Sequence, residues 1–148
     1  MTAAEFEPFC ERTMRDYAAE HVRAGDWEPE EADALAAQET KTLLPAGLDT
    51  PGMLMLAAEN AQDEVIGFAW MALEHERRRG AWLYDIIIVA EHRGRGYGRA
   101  LLAAVEAEAR RRGIESIGLN VFGANHVARS LYESAQYDVT ALQMRRRL

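Results

Sequence analysis

The start of the chain carries a largely apolar stripe at helical spacing: Phe6, Phe9, Cys10, Thr13, Tyr17 and Val22 fall near one face of a 3.6-residue repeat. Thr2 followed by Glu5 reads as a capping box, so a helix is predicted over 3–22. Pro29 at a first-turn position opens a second helix, with Ala32, Leu35, Ala36 and Leu43 inward, which stops before Pro45. After the loop PAGLDTPG (45–52) the period shortens. MLMLAAE (53–59), VIGFAWMALEHE (65–76) and AWLYDIIIV (81–89) read as strands separated by turns at 60–63 and 77–80, an antiparallel meander. An Arg/Gly-rich loop (90–98) leads into a helix over 98–112, with Leu101, Leu102 and Val105 inward and Gly113 as its stop. A strand at 115–122, a short helix at 125–134 and a last strand at 137–147 complete the pattern.

The connection from strand 81–89 through helix 98–112 to strand 115–122 is long enough to make those two strands parallel. The expected fold class is therefore α/β, a mixed and largely antiparallel central sheet with helices on both faces. No repeat, low-complexity tract or linker interrupts it, and 148 residues suit a single domain over 1–148.

Composition narrows the class of protein. With 49% hydrophobic and 28% charged residues the chain belongs with folded globular proteins rather than disordered ones. The longest nearly apolar run, LYDIIIVA (83–90), is too short to span a membrane, and the N-terminus lacks a secretory pattern, so a cytoplasmic protein is expected. The single cysteine, Cys10, excludes an internal disulfide and a multi-cysteine metal site, and its place on the apolar face implies core packing. His21, His92 and His126 lack ligand spacing, and no metal is expected.

The net charge of −7 hides a polarity. Residues 1–76 carry 17 Asp and Glu against 4 Lys and Arg, whereas residues 77–148 carry 7 against 13. The C-terminal half suits an anion and the acidic half solvent or a cation. Nucleic acid fits poorly, because the net charge is negative and Tyr97 is the one aromatic in the basic loop.

The segment EHRGRGYGRALL (91–102) lies between a strand end and a helix start, which gives its glycines meaning. Gly94, Gly96 and Gly98 lack a Cβ, so peptide N–H groups can approach an anion, and the helix N-terminus adds partial positive charge. Arg93, Arg95 and Arg99 bracket the loop with forks for further phosphate oxygens. A pyrophosphate suits the site. No GxxxxGK string exists, and a GxGxxG fingerprint fails because Tyr97 or Arg99 occupies the third glycine position. The pattern that fits is Arg or Gln, two residues, Gly, one residue, then Gly or Ala, filled by Arg93, Gly96 and Gly98.

With these motifs the chain resembles the GNAT superfamily of acyl-CoA-dependent N-acyltransferases over about residues 53–148. IIIVAEHRGRGYGRALL (86–102) is similar to that family's acetyl-CoA loop, and NHVARSLYESAQY (125–137) to its second conserved segment. The resemblance implies that the loop from Arg93 through Gly94, Arg95, Gly96 and Tyr97 to Gly98 holds the coenzyme pyrophosphate. It also implies that backbone groups of Ile87, Ile88 and Val89 pair with the pantetheine arm, that Asn125 hydrogen-bonds the arm, and that Tyr132 stands near the sulfur. A phenol O–H aimed at a departing thiolate can donate a proton, so Tyr132 is the general-acid candidate; its alternative is a core aromatic.

The attacking amine needs a base or an anchor. Asp85 is the only charge in LYDIIIV, and a carboxylate in an apolar strand is uncommon unless paired or functional. It is read as base or substrate anchor, or else as the structural partner of a backbone or Arg group. Glu74 and His75 are weaker candidates. Trp27, Trp70 and Trp82 either wall an acceptor pocket or pack.

Two departures from the family pattern stand out. The cap at Thr2 leaves no strand before the first helix, so the sheet edge is covered by a partner or loop, or the chain is a trimmed form; an open edge makes a homodimer an expectation. Gln136 replaces the usual glycine before the aromatic Tyr137, which places a side chain in a left-handed turn. The expected function is transfer of acetyl from acetyl-CoA to a primary amine of a small-molecule or peptide acceptor by direct attack. A non-catalytic acyl-CoA-binding regulatory module is the alternative.

Overall fold

The computed structural model describes residues 1–74 and 80–146. Helix α1 spans Ala3–Ala24 and α2 spans Pro29–Leu43. The predicted box starts α1: the Glu5 carboxylate accepts the Thr2 backbone N–H at 2.6 Å, which holds its pKa below the ordinary value. Gly25, at φ 72°, ends it in a left-handed cap. Pro29 opens α2 as read, and Ala32 and Ala36 bury against Ala18 of α1.

The meander follows as β1 (Met53–Glu59), β2 (Val65–Ala72) and β3 (Ala81–Ile88), with α3 (Tyr97–Arg111), β4 (Ile117–Leu119) and α4 (His126–Ser134) after it. The sheet order is β1-β2-β3-β4, antiparallel except for the parallel β3–β4 pair that the crossover length required. One face buries Phe9, Leu44, Met55 and Trp70 beneath α1. The other buries Met71, Leu83, Leu101, Leu102, Val105 and Tyr132 beneath α3 and α4. Helices therefore cover both faces. Among the described residues no strand precedes α1, and the Met1 ammonium donates to the Met55 carbonyl of the outer strand β1 at 3.4 Å.

Three strand predictions need correction. β2 ends at Ala72 rather than 76, and His75 to Arg79 lie outside the described residues. The strand expected at 115–122 has only three paired residues, because it meets β3 at Ala81, Trp82 and Leu83 and then parts from it. Gly118 lets this short pair form: a Cβ there would lie 2.7 Å from the Trp82 ring. The strand expected at 137–147 is absent through residue 146, since a ladder needs a neighbour at about 4.8 Å and none runs beside it. Arg145 instead bonds the Gly25 carbonyl and the Asp26 carboxylate, leaving Val139, Leu142 and Met144 exposed. Gln136 does take the left-handed conformation, at φ 64°.

Leu102 is 1% exposed and sits beneath α3 against the sheet. Leu102→Ala is expected to lose about 2–5 kcal/mol in urea unfolding, whereas exposed Leu142→Ala should stay within about 0.5 kcal/mol of wild type.

Candidate active site

A strict alternation along AWLYDIII would put Leu83 and Asp85 on one face. The ladder prevents it: Trp70 faces Asp85 and Met71 faces Leu83, so Tyr84 is the extra residue of a β-bulge. Leu83 keeps its place in the α3-side core, while Tyr84 stacks on Trp70 with ring centroids 4.5 Å apart on the α1 side. Asp85, opposite Trp70, turns to the same side. There it accepts the Thr13 hydroxyl of α1 at 2.7 Å.

Burial pushes the Asp85 carboxyl above its ordinary pKa. The Thr13 bond, the Arg12 charge and the Ile86 N–H oppose that shift, and Asp16 adds to it. Tyr132, buried on α4, has its phenol pushed up to about 12, first by burial and then by the Asp85 charge. The bulge and α4 thus bring these two predicted residues within electrostatic reach. Tyr137 lies 5.6 Å from the Tyr132 ring, its hydroxyl also raised by burial and by Glu106.

β3 and β4 separate just where the bulge begins. Beyond Leu83 no strand among the described residues lies beside the outer edge of β3. Val89 N–H donates inward to the Ile66 carbonyl at 3.0 Å, so by alternation Ile87 also faces β2 and Ile88 faces the opening. The Ile88 carbonyl accepts Arg93 Nε at 2.9 Å, which anchors the loop to the strand end.

In the loop, Gly94 at φ 74° and Gly96 at φ 83° hold left-handed conformations. A Cβ on either would meet nothing within 4 Å, so their glycines leave an open cradle. Gly96 caps α3, whose first amides, on Tyr97, Gly98 and Arg99, have no intrahelical acceptor. These donors, with the helix dipole, form a site for an anion such as pyrophosphate. Arg95 is exposed, and Arg99 Nη2 bonds Ser134 Oγ of α4 at 2.9 Å. Asn125 caps α4, its Oδ1 accepting Ala128 N–H at 3.1 Å.

Other candidates lie apart. Glu74 is exposed, and His75 lies outside the described residues. Cys10 packs against the α1-side core, with burial raising its thiol pKa to about 11. Trp70 and Trp82 are buried in the sheet; Trp27 stacks on His21 with centroids 4.0 Å apart, beside Tyr17 and Phe122. No group of three metal-ligating side chains occurs among the described residues, and no helix there is long and apolar enough to cross a membrane. Residue reading missed Thr13 and Arg12. Their signal was a polar position inside the apolar stripe of α1, with a cation beside it.

Asp85 has a raised pKa in the folded state, so the folded protein holds its proton longer than the unfolded chain, and this contribution to stability falls as pH rises through the ordinary value of 3.8 and up to the raised one. Asp85→Asn removes that loss. Urea midpoints between about pH 4 and pH 8 should show the variant gaining on wild type as pH rises, then levelling; a constant difference would contradict the buried charge.

The sequence model of the acetyltransferase (GNAT) family matches residues 9–137. An uncharacterized N-acetyltransferase, YycN, of Bacillus subtilis (strain 168) is 36% identical over 100% of this chain and 96% of its own length. The YycN crystal structure superposes with a TM-score of 0.95, covering 100% of this chain and 95% of that one. A mycothiol acetyltransferase of Propionibacterium freudenreichii subsp. shermanii is 33% identical over 75% of this chain and 36% of its own. With that match and a mixed sheet carrying helices on both faces, the chain belongs to the acetyltransferase (GNAT) family as a GNAT-type N-acetyltransferase.

Proposed function

We propose that the protein passes an acetyl group from acetyl-CoA directly to a primary amine, with no covalent enzyme intermediate. One observation carries this reading: the opening between β3 and β4 starts at a partly buried carboxylate, has a buried phenol within its electrostatic reach, and ends at a cradle of free amides. The bound thioester supplies the activated acetyl group. The loop from Arg93 to Gly98, with Arg99, holds the pyrophosphate, and the outward N–H of Ile88 serves the pantetheine arm. Of the strand-end residues, Ile87 and Val89 position this edge by pairing with β2. The free Nδ2 of Asn125 reaches the same arm.

An amine with a reference pKa of about 10.4 costs roughly 4–5 kcal/mol to deprotonate at pH 7. Asp85 attracts the ammonium and takes its proton, directly or through water, and its raised pKa makes it a better base than a solvated carboxylate. Tyr132 stays protonated throughout the physiological range, which suits donation to the leaving sulfur. The names of the relatives, an N-acetyltransferase and a mycothiol acetyltransferase, support the reaction class.

Tyr132→Phe should keep acetyl-CoA affinity within about twofold while lowering kcat by roughly 10²–10⁴; unchanged turnover removes Tyr132 as the acid. Gly96 and Gly52 share a positive φ with open space at the Cβ position, so each substitution to Ala should lose about 1–3 kcal/mol of stability. Only Gly96→Ala should also weaken acetyl-CoA binding by calorimetry. Thiol release with a panel of amines decides between enzyme and regulatory module: firm coenzyme binding without turnover on any amine would favour the module.

A further inference from the structure

Arg12 is the one described arginine whose buried guanidinium nitrogens lack a hydrogen-bond partner. Both Nε and Nη2 are buried and unpaired. The guanidinium carbon lies 5.9 Å from the Phe9 ring centroid and 5.5 Å from that of Phe68, so two aromatic faces fix its plane. A buried donor without an acceptor is costly, and a buried cation more so, which makes an unfilled pair of donors a sign of something that binds there. Nε and Nη2 together form the side-on fork that matches the two oxygens of a carboxylate.

The placement of the fork identifies what it faces. Arg12 precedes Thr13, which bonds Asp85, and the Arg12 charge is felt at that carboxyl. Phe68 pairs with Ile87, two residues along β3 from Asp85 on the α1 side of the sheet. The free amides of the glycine loop begin α3, which packs on the opposite side. The fork is thus next to the residue that takes the amine and is separated by the sheet from the pyrophosphate cradle. A carboxylate that Asp85 itself supplied would appear as an ion pair with Arg12, and none is present between them among the described residues.

We infer that Arg12 binds a carboxylate of the acceptor, so that the substrate is an amine that also carries a carboxylate, its ammonium at Asp85 and its carboxylate on the Arg12 fork. This inference rests on the acetyl-transfer reading above and names its substrate class.

The test measures transfer from acetyl-CoA to matched acceptors, free amino acids against the corresponding amino acid amides, with wild type, Arg12→Gln and Arg12→Lys, alongside acetyl-CoA affinity for each. Wild type should favour the free acids by about 10- to 100-fold in kcat/KM, the range expected from a charge-assisted pair. Arg12→Gln should abolish that preference, mainly through KM, with acetyl-CoA affinity unchanged. Arg12→Lys keeps the charge beside Asp85 but lacks the fork, so it should recover only part of the preference; full recovery would reduce Arg12 to a counter-charge and overturn the inference. Equal wild-type use of acids and amides, or an Arg12→Gln defect in acetyl-CoA binding alone, overturns it too while leaving acetyl transfer intact. Should no amine turn over, calorimetry with N-acetylated amino acids and CoA decides, and equal or absent binding of acids and amides counts against it. Failure of acetyl-CoA itself to bind would instead strike the acetyl-transfer reading.

Discussion

The parting of β3 from β4 after Leu83 is the constraint on which the site depends. A parallel pair held at only three positions leaves the outer edge of β3 without a neighbouring strand among the described residues, and backbone groups in that state need other partners. The molecule keeps the edge open by two means. The bulge at Tyr84 bends β3 and raises its twist as pairing stops, and side chains of α4 and of the chain after β4, among them Leu131, Tyr132 and Val121, fill the α3-side core below the gap. The same bulge turns Asp85 from the apolar α3 side toward Thr13, so one irregularity both opens the groove and furnishes it with a carboxylate.

That carboxylate, proposed as the base, carries a desolvation cost. An apolar residue opposite Trp70 would pack without a desolvation penalty, yet the chain keeps Asp85 and compensates it only in part through Thr13, Arg12 and the Ile86 N–H. The amides and arginines that suit phosphate belong to the basic C-terminal half, which also supplies Asp85, while the acidic N-terminal half contributes the Asp16 carboxylate whose charge reaches it.

Much of this was legible in residue order. Helical spacing with the Thr2 and Pro29 signals located α1 and α2 closely, and the three strands of the meander begin at the expected residues, although β2 ends early. The glycine loop was legible because strand, alternate glycines and helix coincide, and Gln136 took the left-handed turn that its position required. Side-chain alternation could not reveal the bulge, since it is defined by which residue of β2 faces which residue of β3. It could not set the length of β4 either, because ESIGLNVF carries the same propensity whether or not β3 follows it. The tail YDVTALQM reads as a strand for the same reason, and pairing is a property of neighbours rather than of the segment. Arg12 was obscured by its type: a lone arginine on a helix is ordinarily solvated, and only burial of its nitrogens distinguishes it.

The most direct measurement is amide hydrogen exchange, residue by residue, with and without saturating acetyl-CoA. Slower exchange should be confined to Ile88 and to the amides from Gly94 to Arg99, while the β1–β2 ladder keeps its rates. Unchanged exchange at those positions, or protection spread evenly over the sheet, would contradict the claim that the open edge of β3 and the loop beyond it receive the coenzyme.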